Sequence, residues 1–297
     1  MGMSKQKVWV VGHKNPDTDS ICAAISYAYL KNQAEGKTHE YLAKRAGAVN
    51  EETRYVLDYF HVEDPELITY VGAQIRDINI RKTEGVSSQI SLKRAWKLMK
   101  ELEVVTLPVT NSFGKLEGVI VTKDIATSYM DVLDNRVLSK ARTQYKTIAE
   151  TLEGSVLVGN EHAYFMRGKV VVAISNLDYM ADYIENDDLV ILGDRGEEQL
   201  QAIQLNASCI VACGGLKVED EVKRIAAKRD CVVITTPYDA FSASRLINQS
   251  MPIKQFMTRQ ELITFEIDDY IDDVRDTMSK VRHRDFPVLN ENGGYEG

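Results

Sequence analysis

The sequence is poor in cysteine and lacks the features of secreted and membrane proteins. Its four cysteines form no CxxC pair, and so few thiols cannot build a disulfide scaffold. We therefore predict small buried thiols in a reducing cytoplasm. The longest apolar runs, such as residues 170–174, are far shorter than the roughly 20 residues that span a bilayer. The start of the chain is polar and leads straight into a strand-like run, so we expect no secretory signal there.

An excess of positive charge is also absent. The 297 residues include 36 basic and 44 acidic side chains, for a formal net charge of −8. This balance argues against nucleic acid or an anionic membrane as a partner, since both attract basic patches. Hydrophobic residues make up 44% and charged residues 27% of the chain, close to the averages of globular proteins. The length suits about two ordinary domains.

The first sixty residues predict the opening of an α/β domain. Residues 7–12 are apolar and β-branched, which is typical of a short buried strand. A polar loop, residues 13–20, separates this strand from apolar residues at helical spacing, and either Asp19 or Ser20 is positioned as the N-cap. A second helix is predicted after residue 50. Polar loops at the carboxyl ends of such strands are where α/β folds bind ligands.

An internal repeat organises the rest of the chain. Residues 91–118 align on residues 270–297 without a gap, at a constant offset of 179 positions. Each copy predicts an amphipathic helix, a short strand that begins at the proline, a glycine-containing turn and a second strand. The second copy stops at Gly297, where a further strand and helix are due, so we expect the chain to be truncated.

The stretch between the copies predicts a parallel sheet with crossover helices. Four short apolar segments alternate with helical patterns there. The strand candidates are residues 170–174, 189–192, 207–212 and 231–235, and the helix candidates are residues 197–204 and 217–228. Glycine-containing loops follow two of these strands.

The loop at residues 13–20 contains the side chains with the clearest chemistry. His13, Asp17 and Asp19 offer one imidazole and two carboxylates within seven residues. Such nitrogen and hard oxygen ligands suit manganese, magnesium or cobalt better than a thiolate-rich zinc site. Two close carboxylates would repel each other unless a cation neutralised them. The alternative is a capped helix, in which Asp19 or Ser20 caps, His13 is incidental and Asp17 is solvated.

The segment GHKNPDTDSICAA, residues 12–24, resembles the first motif of the DHH phosphoesterase superfamily. It is most similar to that of the family II (manganese-dependent) inorganic pyrophosphatases, and residues 50–57 resemble the segment that those enzymes carry next. The resemblance implies that His13 and Asp17 hold one metal ion and that Asp19 holds its neighbour. It also implies a site with two or more Mn²⁺ ions, or Co²⁺ or Mg²⁺ in their place.

The two repeats resemble CBS domains, and the stretch between them resembles the DRTGG domain, with Gly193-Asp194-Arg195-Gly196 as a degenerate form of its name motif. One subset of family II pyrophosphatases carries a CBS–DRTGG–CBS insert in this order. The resemblance therefore implies an α/β chain that begins with part of a DHH-type parallel-sheet domain. The implied domains are residues 1–68 (catalytic part), 69–130 (first CBS), 131–250 (DRTGG-like) and 251–297 (second CBS, incomplete).

CBS pairs commonly dimerise and bind adenine nucleotides, so the resemblance implies a homodimer regulated by AMP, ADP, ATP or diadenosine polyphosphates. Many CBS domains hold ribose through a Thr or Ser and an Asp three residues on. Here those two positions are Val121 and Asp124, with Thr122 displaced by one. Arg284 could hold phosphate and Phe286 could stack on adenine. A solvated Arg with a core Phe is the alternative.

The sequence thus predicts hydrolysis of inorganic pyrophosphate to phosphate by a two-metal site, regulated by adenine nucleotides. Two-metal hydrolysis needs several ligands around both ions, and the His-His pair of the superfamily occurs nowhere in this sequence. We therefore expect the chain by itself to be inactive. The alternatives are a nucleotide-sensing module without catalysis and another DHH-superfamily phosphoesterase.

Overall fold

The computed structural model describes residues 6–35, 38–131, 134–173, 177–215 and 217–297. The chain divides into two compact units, Met1–Ala73 and Gln74–Gly297. Within the described residues, no helix combines the length and the apolar character needed to cross a membrane.

The first unit is a small parallel sheet with two helices. Its elements are β1 (Gln6–Val11), α1 (Thr18–Glu35), β2 (His39–Arg45), α2 (Glu51–Phe60) and β3 (Glu66–Leu67). The strands lie in the order β1-β2-β3 and all pairs are parallel. Helix α1 buries Ile21, Ala24 and Ala28, a spacing of three and four residues that defines one face.

The strand prediction for residues 7–12 is confirmed, but the prediction that this strand is buried is wrong for the described unit. Trp9 is 43% and Val11 is 41% exposed. Residues 7, 9 and 11 are exposed and alternate with the half-buried residues 8 and 10, so the described residues of this unit leave one face of β1 uncovered.

The second unit contains both repeats and the sheet between them. Its helices are α3 (Leu92–Glu101), α4 (Thr122–Asp131), α5 (Val137–Lys140), α6 (Tyr145–Thr151), α7 (Leu177–Tyr183), α8 (Gly196–Gln204), α9 (Asp220–Lys228), α10 (Ala240–Leu246) and α11 (Ile271–Lys280). Its strands are β4 (Thr106–Thr110), β5 (Leu116–Val121), β6 (Thr143–Gln144), β7 (Ser155–Val158), β8 (Tyr164–Phe165), β9 (Val170–Val172), β10 (Leu189–Leu192), β11 (Cys209–Ala212), β12 (Val232–Thr235), β13 (Phe265–Glu266) and β14 (Val288–Leu289).

The repeats have the predicted helices, and their strands begin elsewhere than predicted. Helices α3 and α11 start at Leu92 and Ile271, which are equivalent positions under the offset of 179. Strand β4 begins two residues before Pro108, and β14 begins directly after Pro287. Pro108 has no N–H to donate, but its carbonyl accepts a hydrogen bond from the N–H of Val86, which is enough to keep it inside a strand.

The sheet between the repeats is the predicted α/β layer. Its order is β7-β12-β11-β10-β9, with β9 to β12 parallel and β7 antiparallel. Leu189 and Ile191 pack into the core on one face, whereas Val190 and Leu192 pack into the helix-covered core on the other. This alternation follows from the two-residue period of a strand.

Three of the four cysteines are buried in the second unit, as predicted. Burial raises the pKa of the Cys231 thiol to about 12 and that of Cys213 to about 11, and it holds the pKa of Cys209 well above its usual range. Cys22, in the first unit, is half-buried. All four are free thiols, and the three buried ones will be unreactive, because the thiolate is the reactive form.

A buried carboxylate ties the starts of β9 and β10 together. Asp188 is 0% exposed. Its Oδ1 accepts the backbone N–H of Lys169 at 2.9 Å and its Oδ2 accepts that of Glu185 at 2.8 Å. These two bonds satisfy two partly buried backbone donors.

We expect Asp188→Ala to lower the free energy of unfolding by about 2 kcal/mol, because it leaves two backbone donors unpaired. Asp188→Asn retains one oxygen acceptor, so it should lower the free energy of unfolding by less than Asp188→Ala does. Urea unfolding followed by circular dichroism measures both, with Asp182→Ala, an exposed position on α7, as the control. A stability equal to that of the control would show that this carboxylate is dispensable.

Candidate metal centre and ligand cavity

The loop between β1 and α1 is held in place by close packing at two glycines. A Cβ on Gly12 would lie 1.8 Å from the Ser20 hydroxyl oxygen, and a Cβ on Gly47 would lie 2.4 Å from the carbonyl oxygen of Lys14. Pro16, inside the loop, is buried. Because β1 and β2 are parallel, the loops that follow them meet at the same edge of the sheet. No pattern in the sequence marks Gly47 as part of this site.

Asp17 caps helix α1, which corrects the predicted cap at Asp19 or Ser20. The helix begins at Thr18, and the backbone N–H of Ser20 donates to Asp17 Oδ1 at 2.9 Å. That hydrogen bond, aided by the charge of His13, lowers the pKa of the Asp17 carboxyl group. The helix starts earlier than the apolar periodicity indicates because its first turn is polar.

His13 and Asp17 lie together on the surface of this loop. His13 Nε2 is 3.4 Å from Asp17 Oδ1, and the side chains are 59% and 64% exposed. Asp19 is exposed in the first turn of α1. An imidazole nitrogen and a carboxylate oxygen at this distance fit two ligands of one divalent cation. Over the part of the chain that is described, no three His, Cys, Asp or Glu side chains gather as a metal site.

Helix α2 supports the same loop. The hydroxyl groups of Thr18 and Thr53 lie 3.0 Å apart, and Thr53 is fully buried. Asn50 caps α2 by accepting the backbone N–H of Thr53 at 2.7 Å. The residues that resemble the second family segment therefore position the start of α1. Thr53 was missed as a positioning residue, because a threonine in a helix carries no distinctive sequence signal.

A cavity of about 540 Å³ lies between the two repeats, within the usual range for small-molecule sites. Its walls are mostly aliphatic, and its polar lining comes from both repeats and from the segment before the first. The polar lining residues are Arg81, Thr83, Glu103, Thr106, Arg284, Asp285 and Tyr295. Phe286 also lines it, so two of the predicted nucleotide-binding residues share this cavity.

Arg284 is exposed and makes no ion pair or hydrogen bond with the described residues. Its equivalent in the first repeat, Val105, lines the same cavity, so these two equivalent positions differ in charge. The ring of Phe286 lies 5.4 Å from that of Phe265 and 6.4 Å from that of His283, measured between centroids. Phe286 therefore packs partly against the local apolar core and partly lines the cavity.

Thr122 and Asp124 are not among the cavity-lining residues. The Thr122 hydroxyl donates to the carbonyl oxygen of Val105 at 3.2 Å, and Asp124 Oδ2 accepts the backbone N–H of Val121 at 3.0 Å. Both side chains thus stabilise the start of α4. Burial raises the pKa of the Asp124 carboxyl group. Their predicted role in ribose binding stays a prediction.

A segment that sequence analysis missed forms one wall of the cavity. Ile75, Ile78 and Ile80 line it, and the backbone N–H groups of Ile75 and Arg76 donate to carbonyl oxygens at positions 269 and 267. The segment before the first repeat is therefore anchored on the second. No local pattern reports such a pairing across almost 200 positions.

Comparison with protein families defines the class of the second unit. The CBS domain family matches residues 75–131 and 253–297, and the DRTGG domain family matches residues 147–250. The unit is a pair of CBS domains separated by a DRTGG domain, and the predicted α/β fold class is confirmed. The finer division at residues 68, 130 and 250 stays a prediction.

One solved structure is 35% identical to this chain in sequence. It contains the CBS and DRTGG domains from the regulatory region of Clostridium perfringens pyrophosphatase, complexed with the activator diadenosine tetraphosphate. It superimposes with a TM-score of 0.73, over 76% of this chain and 98% of that one. The chain belongs to the family of this pyrophosphatase regulatory region, in which a DRTGG domain lies between two CBS domains, and the predicted resemblance is confirmed.

Two relatives match nearly the whole chain. A cobalt-dependent inorganic pyrophosphatase of Clostridium perfringens is 38% identical over 293 residues, which are 99% of this chain and 53% of that protein. A probable manganese-dependent inorganic pyrophosphatase of Thermotoga maritima is 30% identical over 289 residues, 97% of this chain and 52% of that protein. The chain thus spans about half the length of these relatives.

Proposed function

We propose that this chain forms part of a DHH-type, metal-dependent inorganic pyrophosphatase that adenine nucleotides regulate. The observation that carries the proposal is the combination on one chain of the His13–Asp17 pair and the cavity between two CBS domains. The relatives named as cobalt- and manganese-dependent pyrophosphatases support it, because the similarity runs through both parts.

In the proposed metal centre, His13 and Asp17 hold one divalent ion and Asp19 holds its neighbour. When bound, such ions neutralise phosphate charge and make a water molecule more acidic. Asp17 acts as a ligand rather than a base, since the Ser20 N–H and His13 favour its charged form. Mn²⁺ and Co²⁺ are the ions that we propose, with Mg²⁺ as the weaker choice for an imidazole ligand.

In the proposed regulatory site, Arg284 binds the phosphate of AMP, ADP, ATP or a diadenosine polyphosphate. Its guanidinium group suits this role because it is exposed at the cavity and unpaired among the described residues. Phe286 offers part of its ring to adenine. The diadenosine tetraphosphate complex of the Clostridium perfringens regulatory region supports this choice of ligand. The proposal also takes the protein to be a homodimer that is located in the cytoplasm.

A nucleotide sensor without catalysis is the second candidate. It is favoured by the observation that the described residues bring together only two metal-ligand side chains. The decisive experiment assays manganese- and cobalt-dependent phosphate release from pyrophosphate in two proteins. One is this chain by itself. The other, the extended protein, is this chain joined to the half of the Clostridium perfringens relative that it does not cover.

We expect no appreciable turnover by the chain itself and clear turnover by the extended protein. Turnover by the chain that Asp17→Asn abolishes would show that its own residues complete the site. A folded extended protein that binds AMP but releases no phosphate would favour the sensor. Light scattering of either protein tests the homodimer.

A further inference from the structure

One carboxylate in the cavity has no place in the proposed site so far. Asp285 lines the cavity next to Arg284, where a negative charge opposes the binding of phosphate. The Thr106 hydroxyl donates to Asp285 Oδ2 at 2.6 Å. Thr106 and Asp285 are equivalent positions of the two repeats, 179 residues apart, so this bond joins the two CBS domains at the cavity.

The Asp285 carboxylate keeps acceptor capacity for a ligand. An ionised carboxylate offers about four acceptor positions on its two oxygens, and the bond from Thr106 uses one of them. Asp285 Oδ1 has no partner among the described residues. A carboxylate that is fixed on one oxygen and open on the other suits a ligand with hydroxyl donors.

A nucleotide has such donors on its ribose, and Thr122 and Asp124, the side chains predicted to bind ribose, do not line this cavity. Asp124 accepts the N–H of Val121 and Thr122 donates to the carbonyl of Val105, both at the start of α4. A ribose held in this cavity is therefore within the reach of Asp285 rather than of those two side chains. In dinucleotide-binding folds an Asp or Glu binds the ribose hydroxyl although phosphates lie close by.

We propose that Asp285 accepts hydrogen bonds from the ribose 2′- and 3′-hydroxyl groups of the bound nucleotide, and that Thr106 is a positioning residue that orients this carboxylate. This inference rests on the proposed nucleotide site. Arg284 and Asp285 are adjacent in the chain, as the 5′-phosphate and the ribose are adjacent in the ligand. The pair makes the cavity selective for ribonucleotides over sugars without the hydroxyls.

Calorimetric titration of the chain with AMP and with 2′,3′-dideoxy-AMP tests the inference. The wild-type chain should prefer AMP by at least about tenfold, the lower end for hydrogen bonds to a charged group. Asp285→Ala should bind both nucleotides with similar affinity. Thr106→Val, which is nearly isosteric, should reduce the preference partway. Asp276→Ala, which removes an exposed carboxylate on α11 outside the cavity lining, should retain it.

An Asp285→Ala variant that keeps the wild-type preference overturns the inference, and so does a wild-type chain that binds the two nucleotides equally. Tighter binding of AMP by Asp285→Ala with unchanged preference would mean that Asp285 only repels phosphate, which also overturns it. A wild-type chain that binds neither nucleotide overturns the proposed nucleotide site itself, and the ribose assignment with it.

Discussion

Asp17→Asn in the extended protein is expected to lower pyrophosphate turnover about a thousandfold. Losing a metal-binding charge removes several kcal/mol of transition-state stabilisation, and each 1.36 kcal/mol is a factor of ten in rate. The stability of the fold should change by less than about 1 kcal/mol, because asparagine caps a helix as well as aspartate does. Phosphate-release kinetics at saturating Mn²⁺ and thermal unfolding measure the two effects.

The choice of asparagine separates the two roles of this side chain. Asp17→Ala should lose both turnover and the cap that accepts the Ser20 N–H. Asp239→Asn is the matched control, because Asp239 caps α10 through the same kind of bond, to the N–H of Ser242 at 2.8 Å. Full activity of Asp17→Asn would mean that this residue is only a cap, and Asp19→Asn then tests whether the loop binds metal at all.

Arg284→Ala is expected to weaken AMP binding to the chain by about 1.5–3 kcal/mol, the usual worth of a hydrogen bond to a charged group. The guanidinium group is exposed at the cavity and has no protein partner among the described residues, so its loss should not destabilise the fold. Calorimetric titration gives the affinity. Binding should also weaken as salt is raised, because the contact is between charges.

Arg275→Ala is the control for Arg284→Ala. It removes an exposed arginine from α11 that lies 4.0 Å from Asp272, its one ion-pair partner among the described residues, and that does not line the cavity. Equal affinity of Arg284→Ala and this control would refute the phosphate assignment. Val105→Arg is a further variant for the same AMP titration. It tests whether the equivalent position in the first repeat can bind phosphate as well.

Much of the fold could be predicted because the patterns involved are local. The helical spacing in both repeats, the apolar runs of β10 to β12 and the polar loop after β1 each depend on a few neighbouring residues. The metal-ligand candidates share this property, because His13 and Asp17 are four positions apart and meet within one loop. Their resemblance to a known motif then identified the family.

Tertiary structure decided what depends on strand order and on distant partners. Trp9 is exposed because the described residues of its unit leave that face of β1 uncovered, which no pattern within β1 can reveal. Asp124 has the residue type for ribose, and only the structure shows that it does not line the cavity between the repeats. The Thr106–Asp285 bond joins positions 179 residues apart. The sequence by itself determined the elements, the repeat and the loop chemistry, because these are short-range properties of the chain. Packing alone decided which side chains reach the cavity. The partner of a residue such as Thr106 lies far away along the chain, and the residues next to Thr106 do not specify it.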